Sequence, residues 1–177
     1  MAHIVILDAS TGAINQFGNM PLADMQYQDL TGKIWFEFPA SGITADVVNG
    51  MTVLGLNLAL LRPVLYTRID TEAEAFCKGF VTPGETQMVR YQRKEAQARA
   101  YLADNNATVP MLVAEATATG VTVATLAATV VGLADAWGAI MDAVEGARIG
   151  AKKAVLDATT APEAVLAAQV DWEGLLP

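Results

Sequence analysis

The sequence predicts an α+β protein, with a small N-terminal antiparallel β-sheet followed by a C-terminal helical hairpin or bundle. Short β-branched runs separated by turn residues fill about the first 55 positions, which is typical of antiparallel strands. Later segments begin with threonine and are rich in alanine, and the longest of them repeats apolar residues about every 3.5 positions. We therefore divide the chain into a β domain at residues 1–70, a linker at 71–81 and a helical interaction domain at 82–177.

Three strands are predicted at the start of the chain. The first covers residues 3–8 and the second residues 13–17, with Gly12 in the turn between them. The third covers residues 33–38 and ends at Pro39, because proline has no N–H to continue a ladder.

A hairpin is predicted next, around Asn49-Gly50. This dipeptide separates two short apolar runs, residues 46–48 and 51–54, and both of its residues tolerate the positive φ that a two-residue hairpin turn needs. We expect the hairpin to belong to the same small sheet.

The segment Leu56–Ile69 is ambiguous in the sequence. Its run of leucine and alanine at residues 58–61 fits either a buried strand or a short helix, and Pro63 argues against a helix passing through. We predict an extended segment, followed at residues 71–77 by a helical turn or a linker.

Helix-capping signals divide the second half of the chain into four helices. A threonine placed before proline or three residues before glutamate marks a helix start, and glycine marks an end. These signals are Thr82-Pro83-Gly84-Glu85 for a helix to Asp104, Thr108 with Pro110 for one ending at Gly120, Thr122 for a long helix to Ala158, and Thr160-Ala161-Pro162-Glu163 for one to about Val170.

The long helix dominates the prediction. At about 1.5 Å per residue it would be on the order of 50 Å long, more than one compact domain of this size needs. We expect its apolar seam to pack against another helix or another copy of the chain, as in a coiled coil. The proposed interaction residues are Leu126, Val130, Leu133, Trp137, Ile140 and Val144, and the seam continues through Ala147, Ala151, Ala154 and Ala158.

Two features of this helix leave alternatives. Trp137 is interpreted as an oligomer or core anchor rather than as a platform for a ligand. Gly146 and Gly150 either permit a close helix crossing, which we favour, or mark a break in the helix.

Composition excludes several kinds of partner. The net charge of -8 argues against nucleic acid, because neutralising phosphates requires clustered lysine and arginine. A single cysteine, Cys77, rules out an internal disulfide framework.

Residues 116–134 carry no charge, but their threonines and two glycines favour buried packing over a membrane span. The N-terminus lacks the basic and apolar regions of a secretory signal, so we expect the chain to stay in the cytoplasm or leave by lysis.

No arrangement of residues indicates catalysis. His3 is the only histidine and has no triad partners at a recognisable spacing, so we interpret it as structural or exposed. Asp135, Asp142 and Glu145 lack the histidines of a di-metal bundle site and are interpreted as a solvated flank. Arg148, Lys152 and Lys153 lie toward the C-terminal end of the long helix, where cations interact favourably with the helix dipole. Glu145 can form an ion pair with Arg148. We predict no enzyme activity, no metal and no cofactor.

The helical half contains four recognisable features: Pro110-x-Leu112-x-x-Glu115-Ala116-x-x-x-Gly120, the Gly-Val-Thr cap at 120–122, a long helix with Trp137 and Arg148, and the exit Ala158-x-Thr160-x-x-Glu163. In these features it resembles a domain of unknown function found in tail-fibre and tail-fibre-assembly proteins of tailed phages. The N-terminal half is similar to small phage tail proteins, through residues 8–14, Gly32-Lys33-Ile34 and the Asn49-Gly50 hairpin.

The resemblance implies a structural role in a phage tail. It suggests a short fibre, a baseplate component or a fibre-to-tail adaptor, assembled in the host cytoplasm as a dimer or trimer and joined to other tail or fibre proteins. The alternative is a tail-fibre assembly chaperone that is absent from the mature virion, and a cell-wall hydrolase is a weaker third class. Because the sequence ends at Pro177 soon after the helical segment, we expect no fibre shaft or receptor-binding tip.

Overall fold

The computed structural model of the chain describes residues 2–80 and 84–176. It confirms the predicted α+β class, because antiparallel strands occupy the N-terminal part and helices occupy most of the remainder. The strands are β1 (Ala2–Asp8), β2 (Ile14–Met20), β3 (Lys33–Glu37), β4 (Ile43–Val48) and β5 (Met51–Leu56), and the helices are α1 (Leu58–Lys78), α2 (Glu85–Ala103), α3 (Pro110–Thr119), α4 (Val123–Asp157) and α5 (Ala161–Ala167).

The strands form two sheets rather than the single sheet that was predicted. One sheet has the order β2-β1-β3, with all pairs antiparallel, and β4 and β5 form a separate two-stranded sheet. After Pro39, a short 3-10 segment at Ala40–Gly42 separates β3 from β4. The Phe38 ring lies against Gly42, where a Cβ atom would come within 2.5 Å of it. After this segment β4 pairs with β5 and not with β3.

The Asn49-Gly50 hairpin is confirmed. Asn49 has φ 53° and Gly50 has φ 79°, the pair of positive values that a two-residue turn of this kind requires. Val48 lies opposite Met51 across the turn.

The extended conformation predicted for Leu56–Ile69 is wrong beyond the end of β5, because α1 runs from Leu58 to Lys78. The Asn57 side-chain oxygen accepts hydrogen bonds from the N–H groups of Ala59 and Leu60 at 3.0 and 3.3 Å, which caps the helix start. One side chain per turn is buried, at Leu61, Leu65, Ile69 and Ala73. The helix also includes residues 71–78 of the expected linker. Burial of this face outweighs the disruption at Pro63, whose own side chain is exposed.

Most of the other helix ends follow the predicted caps. Gly120 adopts φ 74° after α3, the Thr122 hydroxyl accepts from the Thr125 N–H at 3.1 Å, and Thr160 and Glu163 form a complete capping box at α5. Two starts differ. Val109 rather than Thr108 precedes α3, and α2 begins at Glu85, while Thr82 and Pro83 of the predicted cap lie outside the described residues.

The chain divides into two compact units. The first contains the described residues through Glu74 together with Gly146–Glu173, and the second contains Ala75–Glu145 and the described residues from Gly174 on. The two boundaries fall inside α1 and α4. The predicted domain limits at 70 and 82 stay a prediction.

The core of the first unit joins residues that are far apart in the sequence. Its buried members come from the two sheets, from α1, and from the last part of α4 with α5: Val5, Leu7, Phe36, Phe38, Leu56, Leu61, Leu65, Ile69, Val155, Ala164, Val165 and Ala168. Successive side chains of a strand face opposite sides, so Ile4 and Ile6 of β1 bury their side chains in a second cluster with Met25.

Within this unit, α1 is tied to the C-terminal end of α4. Arg62 donates through Nη2 to the carbonyl oxygens of Leu156 and Ala158, each at 3.0 Å. The last carbonyls of a helix have no partner within the helix, so Arg62 supplies donors that α4 itself lacks.

Candidate interaction surfaces

The six proposed interaction residues lie on one side of α4 but differ in burial. Val144 is buried and Leu126, Val130, Trp137 and Ile140 are partly buried, whereas Leu133 is 69% exposed. The chain itself therefore covers part of the predicted seam and leaves its leucine at position 133 open to solvent.

The face of α4 that packs within the chain differs from the predicted seam at alternate positions. The set Val130, Trp137, Val144, Ala151 and Ala158 is at least partly buried, as the heptad requires. The remaining seam residues are Leu126, Leu133, Ile140, Ala147 and Ala154. At both ends of this set the fully buried residue is the next one in the sequence, Ala127 rather than Leu126 and Val155 rather than Ala154. Ala127 lies in a cluster with Ala98 and Leu112 of the second unit, where a small side chain allows helices to approach closely.

Trp137 belongs to an aromatic cluster of the second unit. The ring of Phe80 lies 5.9 Å from the Trp137 ring, centroid to centroid, and 5.1 Å from the ring of Phe76 in an edge-to-face arrangement. Beside it, the Cys77 thiol lies 3.7 Å from the Met141 sulfur. This cluster was not predicted, because residues 71–81 were interpreted as a linker, although two phenylalanines four positions apart indicate one face of a helix.

Two glycines of α4, Gly146 and Gly150, are exposed. The helix continues through Gly146 and Gly150, which excludes the alternative of a break there. A Cβ atom at either glycine would meet no atom within 4 Å, so the favoured close crossing is not made by the described residues of this chain.

Three charged residues of α4 form ion pairs with neighbouring helices. Asp70 of α1 accepts from Arg148 and Lys152 at 2.6 Å each, and these hydrogen bonds, led by that from Lys152, lower the pKa of the Asp70 carboxyl below its ordinary value of 3.8. Asp135 binds Arg99 at 2.5 Å. Asp135 and Arg148 thus serve as helix-to-helix contacts.

His3, the only histidine, packs against an aromatic side chain. The His3 ring stacks on Phe17 with centroids 6.2 Å apart. Among the described residues, no group of three or more histidine, cysteine or acidic side chains is placed to hold a metal ion.

Exposed apolar side chains occur on several elements outside the aromatic cluster. On α4 they include Leu133, Ile149 and Leu156, on α2 they are Met88, Val89, Tyr91 and Leu102, and on the β4–β5 hairpin they are Val47, Val48, Met51, Val53 and Leu54. An isolated two-stranded sheet is at best marginally stable in water, so the hairpin is an unusual place for so much open apolar surface.

By length and composition α4 could cross a membrane, and it is the one such helix in the part of the chain that the structure describes. One such helix is weak evidence, so no membrane span is established. The window at residues 116–134 is not one helix, because α3 ends at Thr119 before α4 begins.

Comparison with known proteins adds no identity: no family model, no curated protein and no solved structure matches the chain.

Proposed function

We propose that this protein is a non-enzymatic structural component of a phage tail, namely a short fibre, a baseplate component or a fibre-to-tail adaptor, that assembles through α4. The resemblance of the helical half to phage tail-fibre domains motivates the biological setting. The observation that carries the assembly role is Leu133, which stands 69% exposed on a long apolar helix. Burying a leucine contributes about 1.5–3 kcal/mol, so a partner helix that covers it gains affinity.

The residues on either side of Leu133 along α4 also support self-association. Leu126 and Ile140 flank Leu133 at spacings of seven, and both are only partly covered by the chain. A second copy that packs along this side completes the seam predicted from the sequence, as a dimer or trimer.

The oligomeric state of the purified protein tests the role of α4. We expect the native chain to be a dimer or trimer at micromolar concentration by sedimentation equilibrium. Leu133→Lys places a charge in the seam and is expected to weaken association by at least about tenfold. Ala139→Lys is the matched control, because Ala139 is also exposed on α4 but lies off the seam. A monodisperse native monomer, or equal weakening by both variants, contradicts assembly through this face.

An assembly chaperone is the second candidate, and it is favoured by the same open apolar surface on an acidic chain of net charge -8. Such a protein shields an apolar fibre segment during folding and is then released. Mass spectrometry of washed particles of the encoding phage separates the two roles. A structural component is present in fixed stoichiometry, whereas a chaperone is absent from mature particles but co-purifies with unassembled fibre protein.

A further inference from the structure

Two strands of the first unit, β2 and β5, each have one edge without a ladder partner. Among the described residues, β2 pairs only with β1, and β5 pairs only with β4. An unpaired strand edge presents backbone N–H and C=O groups that can form hydrogen bonds with another extended chain.

These two strands line a common cleft of about 470 Å³. Residues 13–17 contribute from the β2 side and residues 52–56 from β5, and Gly12, Ala161 and Pro162 complete the lining. Consecutive side chains of a strand point to opposite faces. Because the cleft touches five consecutive residues on each side, it runs along the strand edges rather than over one sheet face.

The strands beside the cleft also differ from the others in charge. Neither β2 nor β5 contains a charged residue, whereas β3 has Lys33 and Glu37 at its ends and β4 contains Asp46. Charged side chains on an edge strand discourage pairing with another chain. The edges without this protection are the two that share the cleft.

We propose that the cleft binds an extended segment of another protein, which adds a strand between β2 and β5 and joins the two sheets. Backbone hydrogen bonds to the open edges provide the affinity, as in other cases of strand addition. The uncharged lining, which includes Ile14, Phe17, Val53 and Leu54, selects a segment with β-branched and apolar side chains.

The charges around the cleft indicate what flanks that segment. Asp46 lies opposite Val53 across the hairpin, and Glu163 follows Pro162. Hydrogen bonds from the Thr159 N–H and hydroxyl lower the pKa of the Glu163 carboxyl, so it stays ionised well below neutral pH. No lysine or arginine lies in the lining or next to it in the sequence. Lysine or arginine on both sides of the inserted strand complements this rim.

The same charges argue against a second copy of this chain as the occupant. Its net charge of -8 would repel the acidic rim, whereas a basic partner is attracted. This inference concerns a different surface from α4 and does not depend on self-association.

A designed peptide tests the proposal directly. The probe is a peptide of about eight alternating valine and threonine residues with two lysines at each end. We expect saturable binding to the full-length protein and slower amide hydrogen exchange in β2 and β5. A peptide N-methylated at alternate residues cannot complete the ladder, and one flanked by glutamates opposes the rim. Each is expected to bind at least about tenfold more weakly.

Two valines of the hairpin provide a matched pair of variants. Val53, 48% exposed, lines the cleft, whereas Val47, 75% exposed, does not. Val53→Lys is expected to weaken peptide binding by at least about tenfold, and Val47→Lys, which adds the same charge to the same hairpin, to change it by less than about twofold. If Val53→Lys disrupts the hairpin, the comparison of methylated and unmodified peptides on the native protein decides the question.

Three results would overturn the proposal: equal binding of the methylated and unmodified peptides, unchanged amide exchange in β2 and β5 at saturation, or equal weakening by Val47→Lys and Val53→Lys. A native protein that is monomeric yet binds the probe would refute assembly through α4 while supporting this inference.

Discussion

Gly12 lies where the turn after β1 contacts the start of α5, and there is no room for a Cβ atom at this position. The Asp8 carboxylate accepts hydrogen bonds from the N–H groups of Ser10 and Thr11, both at 2.9 Å, which tightens the turn after β1. Gly12 then adopts φ +69°, and a Cβ atom there would lie 2.8 Å from the backbone of Pro162. The turn therefore needs glycine both for its conformation and for its contact with the start of α5.

Substitution of Gly12 is expected to be more destabilising than substitution of Gly32. Gly32 has a similar φ of +64°, but a Cβ atom there would meet nothing within 4 Å. Gly32→Ala introduces only the left-handed strain, about 1–2 kcal/mol. Gly12→Ala adds overpacking against Pro162, about 1–3 kcal/mol more. Urea unfolding of both variants measures the difference, and equal losses would show that α5 does not lie against this turn.

Asp70 allows a pH-dependent prediction at the same scale. Its hydrogen bonds to Lys152 and Arg148 lower its pKa in the folded protein. A lowered folded-state pKa contributes stability above the unfolded value of 3.8, and this contribution disappears as the pH falls through the folded value. The Asp70 side chain is 48% exposed, so solvent limits the contribution to about 1 kcal/mol or less.

Asp70→Asn is accordingly expected to lower the free energy of unfolding at pH 7 by up to about 1 kcal/mol and to have no effect well below pH 3.8. Asp142→Asn is the control, since Asp142 is also an exposed acid of a helix. Urea titrations at several pH values provide the measurement. A loss that stays constant with pH would mean that Asp70 acts through packing rather than through its charge.

At the scale of elements, the sequence predicted local features well and partner-dependent ones poorly. The Asn49-Gly50 turn, the Gly120 helix end and the Thr160 capping box depend on residues only a few positions apart, and the structure contains all three. The packing face of α4 depends on which residues lie opposite it. The spacing of apolar residues placed Leu126 in the seam, but the close approach of neighbouring helices buries Ala127 and leaves Leu126 at the margin of the same cluster.

Helix α1 also depends on contacts with distant residues that the local sequence does not show. Pro63 was taken as a barrier because it lacks an N–H, yet a helix of 21 residues passes through it. The buried side chains of Leu61, Leu65 and Ile69 pack in a core that includes Val155 and Val165, which lie about a hundred residues away in the sequence. No local pattern around Pro63 contains that information.

Pro63→Ala is expected to stabilise the protein. The missing N–H deprives the Ala59 carbonyl of its helical donor, and proline in a helix interior costs about 3 kcal/mol. Alanine restores the donor, while the unfolded chain gains up to about 1 kcal/mol of conformational freedom. We expect a net increase of about 1–2 kcal/mol in the free energy of unfolding.

Pro110→Ala provides the control for this variant. Pro110 is the first residue of α3, where an N–H has no partner within the helix, so replacement should bring no gain and a small loss. Chemical denaturation measures both variants. If Pro63→Ala fails to stabilise the protein relative to Pro110→Ala, then the lost hydrogen bond at position 63 carries no net cost in the folded protein.

For the whole molecule, the first unit is assembled from two distant segments of the chain. Residues up to Glu74 supply the sheets and most of α1, and Gly146–Glu173 supply the end of α4 together with α5. Val155 and Val165 are fully buried among the strand and α1 residues. The helix-start signal at Thr82-Pro83-Gly84-Glu85 suggested a boundary there, but the packing of the core depends on contacts between distant segments that such a local signal does not record.

This arrangement predicts which fragments of the chain fold. Residues 1–81 alone lack Val155, Val165 and the two buried alanines of the first core, a loss of about 4 kcal/mol or more, comparable with the whole stability of a small domain. We expect this fragment to show no cooperative thermal transition by circular dichroism. A variant in which a glycine-serine linker replaces residues 75–145 keeps both segments, and Asp70 and Arg148 lie 2.6 Å apart near the junction, so the linker need only be short. That variant should unfold cooperatively, with protected amides in β1. If residues 1–81 fold by themselves with the same protection, the N-terminal β domain predicted from the sequence is autonomous, and the end of α4 with α5 only packs onto it.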